Sequence, residues 1–212
     1  EFSRYLLDHY EGTGKSFYLG HWEGDWLLLG SYSRTQKTVD PVRIQGMIDW
    51  YNIRQRAIED ARKDNMSDVS VYHYAELNRV NPALYYGYDR IVNRILPNID
   101  VDYVSYSSYE STSEEVNGAD YNELKGYLFK SLDYIESNLK HRNDIVGKRV
   151  FIGEFGFDLP LVGKDSEEQA RRAFNVIRAS IEWGCPFCLY WEMYDNEGVD
   201  KGFWMIDNNN IK

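Results

Sequence analysis

Hydrophobic positions along the chain follow two alternating rhythms. Short runs rich in β-branched and aromatic residues are separated by longer stretches in which apolar side chains recur every three or four positions. The first rhythm predicts strands and the second predicts amphipathic helices. A helical stretch from Phe2 to Tyr10 stops at Gly12 and Gly14, and a short strand, Ser16–Leu19, then runs into GHWEGDW. A long helix is predicted from Asp40-Pro41 to about Asp64, because Asp caps a helix start and Pro suits its first turn. Val42, Ile44, Met47, Ile48, Tyr51 and Ile58 form its apolar stripe. The alternation continues with strand Val69–Tyr72, a helix from about Pro82 to Leu96, and strand Val101–Tyr106. Helix Tyr121–Leu139, strand Arg149–Gly153, helix Ser166–Trp183 and strand Phe187–Trp191 complete it.

Strand–helix alternation of this kind predicts an α/β fold with a parallel sheet covered by helices. Each strand leads into a loop that opens on polar or aromatic residues: HWEGDW, HYAELN, SSYES, EFGFD and WEMYDNE. In a barrel, loops at the C-terminal ends of the strands build the active site. A doubly wound open sheet is the competing architecture, but no Gly-rich phosphate turn follows any strand. Without a Pro/Gly/Ser-rich linker, an internal repeat or a low-complexity tract, residues 1–212 read as a single domain.

Composition narrows the partners. Tyr, Phe and Trp make up 16% of the chain, more than a core alone requires, so many rings must reach a surface or a cleft. Flat rings with a polar edge suit the C–H faces of sugars, and equally suit protein interfaces. A net charge of −10 repels phosphate backbones and anionic lipid, which argues against nucleic acid as a partner. No apolar run approaches the roughly 18 residues of a membrane helix, so no membrane partner is expected. The chain opens at Glu1 within a helical pattern, without initiator Met, signal or transit segment, and reads as a fragment or a processed chain.

The strongest chemical signal is FIGEFGF at residues 151–157, an apolar strand that ends in Glu154. A carboxylate there is unfavourable unless it is paired or used. FYLGHWEGDW at residues 17–26 repeats the arrangement, delivering Glu23 amid His21, Trp22 and Trp26. Either glutamate alone could cap its strand or form a structural ion pair. Together they match glycoside hydrolysis, which needs one carboxyl group to protonate the leaving oxygen and a second to attack the anomeric carbon.

With these motifs the chain resembles the retaining glycoside hydrolases of clan A, which are (β/α)8 barrels. The resemblance implies that the five strands are strands four to eight, with the missing N-terminal part of the barrel a possible partner. It makes Glu23, after strand four, the acid/base and Glu154, after strand seven, the nucleophile. It also implies that Tyr106, after strand six, hydrogen-bonds the nucleophile and keeps it ionised, and that Trp191, closing strand eight, is a sugar platform. Trp22 and Trp26 are expected to raise the pKa of Glu23 by surrounding it with apolar rings. One position departs from the clan, which usually has Asn immediately before the acid/base, where Trp22 stands here. That Asn normally holds the substrate 2-hydroxyl, so His21 or Asp25 is expected to take over the contact.

Further candidates for the cleft are His73 in VYHYAELN, Glu76, and Glu192 beside Trp191, each of which could instead be structural. GTGKS at residues 12–16 is not a phosphate-binding loop, because His9 stands where Gly is required and a strand follows instead of a helix. Cys185-Pro-Phe-Cys188 has redox spacing, but it leads into an apolar strand, which predicts buried thiols. The resulting expectation is double-displacement hydrolysis of a β-linked oligo- or polysaccharide, with no metal or organic cofactor. A non-catalytic carbohydrate-binding barrel and a metal-dependent barrel hydrolase are the alternatives, and the scarcity of His, 4 in the chain, argues against the latter. The compartment is left open by the sequence, with a secreted or periplasmic location favoured because polysaccharide-degrading enzymes are commonly exported. In a eukaryotic secretory route Asn65-Met66-Ser67 would be a glycosylation acceptor.

Overall fold

The computed structural model describes residues 1–63, 65–197 and 201–207. Five strands, β1 (Ser16–Leu19), β2 (Ser70–Leu77), β3 (Tyr103–Ser107), β4 (Val150–Phe155) and β5 (Cys188–Tyr190), pair in sequence order. Every pairing is parallel, and the sheet curves into a half-barrel. The helices interleaved with it are α1 (Phe2–His9), α2 (Gly24–Leu29), α3 (Pro41–Lys63), α4 (Asn81–Tyr86), α5 (Tyr121–Asn138) and α6 (Ser166–Trp183). None of the described helices is long and apolar enough to cross a membrane.

Local sequence explains most boundaries. Asp40 accepts a hydrogen bond from the Val42 amide before α3, Asp120 caps α5 through the Glu123 amide, and Asp165 caps α6 through Glu167 and Glu168. Gly184, left-handed at φ +100°, closes α6. The long helix α3 starts as its Asp-Pro signal predicts, and the last residue of the expected range, residue 64, lies outside the described residues. Two expectations are corrected. The helix predicted from Pro82 to Leu96 is interrupted, because Gly87 turns left-handed at φ +67° and ends α4. The chain resumes as a π-helical turn at Ile91–Ile95 and a 3-10 turn at Leu96–Asn98. Strand β2, predicted to end at Tyr72, continues to Leu77 and so carries Glu76 within the sheet.

The pleat divides the sheet into two faces. Towards the helices point Ala75, Leu77, Val104, Tyr106, Ile152 and Phe155, all buried in the main core with residues of α3, α5 and α6. A smaller cluster of Leu6, Leu7, Ile58, Ala61, Val69 and Val71 seals α1 against the start of β2. The concave face is layered differently. Its lower half is an aromatic floor in which Tyr18 meets Tyr72, Tyr103 and Phe187 at ring centroid distances of 5.2, 5.2 and 5.0 Å. Phe151 and Phe187 lie 4.3 Å apart beside them. Above the floor, towards the C-terminal ends of the strands, the concave positions become polar: Glu76 and Ser105, paired in register, then Ser107 and Glu154, also paired.

A bulge in β4 makes that last pairing possible. Tyr106 pairs with Ile152 but Ser107 pairs with Glu154, so β4 carries one extra residue at Gly153. Strict alternation would turn Glu154 with Ile152 towards the helices, and the extra residue returns it to the concave face. Only glycine fits at the bulge, since a Cβ at Gly153 would lie 1.7 Å from the Ser105 hydroxyl oxygen.

Candidate active site

Glu23 follows β1 and is the residue preceding α2, with a left-handed backbone at φ 36° and ψ 64°. Non-glycine residues seldom adopt this conformation. It swings the Glu23 carboxylate over the concave face, where Oε1 accepts a hydrogen bond from the Ser107 hydroxyl at 2.9 Å. Oε2 accepts a second from the Trp26 indole N–H at 2.6 Å, one turn along α2. The Glu23 backbone N–H donates to Glu76 Oε1 at 2.8 Å, and Glu76 Oε2 accepts from the Ser105 hydroxyl at 2.6 Å. Just beyond the end of β3 the Tyr109 hydroxyl donates to Glu154 Oε1 at 2.9 Å. Ser107 thus joins the two halves, holding Glu23 by its side chain while sitting opposite Glu154 in the β3–β4 register.

Three carboxyl groups in one polar layer must compete for protons. Burial pushes Glu154 up to about 7, with the charges of Glu23 and Glu76 adding to the rise and the Tyr109 hydrogen bond opposing it. Burial likewise raises Glu23, against the hydrogen bonds from Ser107 and Trp26. Glu76 is raised for the same first reason, opposed by the Glu23 amide and Ser105. Titration therefore belongs to the coupled group rather than to one residue. Glu154 receives one hydrogen bond, from Tyr109 and not from Tyr106, whereas Glu23 receives two.

The remaining candidates divide according to the face on which they stand. Trp26 braces Glu23 through its indole N–H, and its ring tilts against Tyr32 at 5.6 Å. Trp22 is 60% exposed at the rim. His21 is half-buried against Trp50 and Tyr51, its Nε2 accepting from the Tyr51 hydroxyl and its Nδ1 donating to the Trp22 carbonyl. Burial lowers its pKa and holds it neutral. Trp191, half-buried just beyond β5, continues the sheet by donating its backbone N–H to the Phe155 carbonyl at 2.8 Å. Glu192 is half-buried and accepts from the Asn196 amide at 3.1 Å, which ties it into its own loop.

Two assignments are corrected by the pleat. His73 lies on the helix side of β2, fully buried, where Nδ1 donates to Gln55 and Nε2 accepts from Arg54, both on α3. Burial and the Arg54 charge lower its pKa to about 3, so it is a neutral packing residue away from the cleft. Tyr106 also faces the helices, donating its hydroxyl to Glu110 at 3.0 Å. The hydroxyl that reaches Glu154 belongs to Tyr109. Asp25, expected as a substrate contact, is buried and accepts backbone N–H bonds from Asn78, Arg79 and Ile91. It locks α2 to the segments that follow β2.

Sequence reasoning missed Ser105, Ser107 and Tyr109. For Ser105 and Ser107 the signal was the odd-numbered parity Tyr103, Ser105, Ser107 in β3, whereas Tyr109 stands beyond the strand with a helical backbone, where that parity does not reach. The thiols of Cys185 and Cys188 are half-buried, and burial raises both, to about 12 and about 11. Among the described residues no group of three or more His, Cys, Asp or Glu side chains is placed to hold a metal ion. Comparison with protein-family models, with curated proteins and with solved structures returned no match.

Proposed function

We propose that the half-barrel is the strand-four-to-eight portion of a (β/α)8 barrel and that its polar layer hydrolyses β-linked glycosides with retention. The observation that carries this reading is that Glu23 is hydrogen-bonded to Ser107, the register partner of Glu154, at the C-terminal edge of a parallel sheet and above an aromatic floor. Glu154 suits the nucleophile because, among the described residues, only its Oε1 receives a hydrogen bond, leaving Oε2 to attack. Glu23 suits the acid. The Trp26 N–H can only donate, which reserves Oε2, so the proton resides on Oε1 facing Ser107, whose hydroxyl can turn to accept it.

In the first step Glu154 Oε2 forms a bond to the anomeric carbon as the glycosidic C–O bond breaks. The departing oxygen keeps the electron pair and takes the Glu23 proton. In the second step Glu23, now ionised, takes a proton from water as the water oxygen bonds the anomeric carbon and Glu154 leaves with its electron pair. Positive charge growing on the sugar ring favours ionised Glu154 and offsets the burial that raises it. The test is stereochemical: β-linked oligosaccharides give the β anomer first, read by proton NMR before mutarotation. An α anomer as first product would assign Glu154 as a base instead of a nucleophile.

Tyr109→Phe gives a second test, with a defined sign. Losing the hydroxyl removes the hydrogen bond that lowers the Glu154 pKa, so Glu154 holds its proton more tightly. On the acidic side, where the pair is doubly protonated, kcat/KM falls by on the order of tenfold, the scale of one hydrogen bond to a charged group. On the alkaline side only the Glu23 proton affinity matters, and the rate is nearly unchanged. A uniform loss across pH would contradict the assigned partner.

A further inference from the structure

We infer that Glu76 is a positioning residue that fixes the acid/base by gripping its backbone, an inference that rests on the glycosidase reading above. Glu76 is 6% exposed, and its two carboxylate oxygens are each occupied, by the Glu23 amide and by the Ser105 hydroxyl. Both oxygens are thus engaged by the protein, one of them by a backbone N–H. What it holds is the N–H of the one residue in the site with a left-handed non-glycine backbone, Glu23 at φ 36°. A non-glycine residue in that region is strained and stays there only if its surroundings hold it. Released, Glu23 would relax towards an extended or right-handed backbone, and its carboxylate would leave Ser107 and Trp26.

The chain of support extends one strand further. Ser105, paired with Glu76 in register, fixes its second oxygen, and Gly153 gives Ser105 room. The bulge that turns Glu154 inward therefore also makes the space for the device that holds Glu23. One irregularity in β4 serves both halves of the proposed catalytic pair.

The experiment compares kcat/KM on phenyl and 2,4-dinitrophenyl β-glycosides, across gluco, galacto, xylo and manno series, for the wild-type chain, Glu76→Leu and Glu76→Gln. A misplaced acid harms only the substrate whose leaving group needs a proton. Glu76→Leu is expected to lower the phenyl rate by about 100-fold, the lower range for losing general acid catalysis, and the dinitrophenyl rate by less than about threefold. Glu76→Gln keeps an acceptor for the Glu23 N–H and a donor for Ser105, and is expected to recover most of the phenyl rate. Equal losses on the two substrates for Glu76→Leu would indicate a merely structural role and overturn the inference, as would no loss on either. A wild-type protein with its barrel complete that cleaves none of these glycosides removes the parent reading and this one with it. An active wild type with leaving-group-independent variants removes this one alone.

Discussion

Replacing Glu154 by Ala is expected to lower kcat on a phenyl β-glycoside by on the order of 10⁵-fold, the scale seen when a covalent nucleophile is removed. The magnitude follows from its geometry: Glu154 is the carboxylate with one oxygen fixed by Tyr109 and the other unengaged by any described donor. Glu76 is anchored to the Glu23 amide and to Ser105, and Glu23 to Ser107 and Trp26, so neither is placed to take over the attack. Azide added to Glu154→Ala then enters the vacated space and attacks the anomeric carbon from the same side as the lost carboxylate. The product is the α-glycosyl azide, identified by NMR, with turnover partly restored. Glu154→Gln, close to isosteric, should lose activity to a similar extent while keeping the wild-type Tm. A loss under about tenfold, or a β-azide product, would remove Glu154 from the nucleophile's role.

The site was legible in the sequence to the extent that period and punctuation determine it. The order of elements and the delivery of Glu23 and Glu154 at strand ends follow from apolar runs bounded by turns, and the sheet pairs β1 to β5 in that order. What sequence pattern did not convey was the face on which each residue stands. His73 and Tyr106 are adjacent to concave positions, Tyr74 and Ser107, and a shift of one residue sends a side chain to the opposite side of a sheet. Parity alone would have assigned Ser107 in place of Tyr106, but not Tyr109, which lies past the end of β3 with a helical backbone. It would also have failed at Glu154, because the bulge at Gly153 breaks the alternation there. The left-handed turn at Glu23 and the helix α2 that follows were hidden for a different reason. They depend on distant partners, Glu76 for the amide of Glu23 and Asn78, Arg79 and Ile91 for the carboxylate of Asp25, which local propensity cannot see.

Glu23→Gln is expected to separate the two steps of the reaction. For phenyl β-glycosides kcat/KM should fall by about 10²–10⁴-fold, the contribution of a positioned general acid. For 2,4-dinitrophenyl β-glycosides, whose leaving group departs without a proton, kcat/KM should be nearly intact. Their kcat should still fall, because the glycosyl–Glu154 intermediate then lacks a base to activate water and accumulates. The pH profile adds a discriminating sign. In the wild type the alkaline limb reports loss of the Glu23 proton, so in Glu23→Gln that limb should disappear while the acidic limb, set by protonation of Glu154, persists. Glu76→Leu shares the leaving-group signature but keeps an ionisable Glu23, so its alkaline limb should remain, displaced rather than abolished. If Glu23→Gln keeps its alkaline limb, or loses activity equally on both leaving groups, another group supplies the proton, and the hydrogen bonds from Ser107 and Trp26 then serve only to anchor a structural carboxylate.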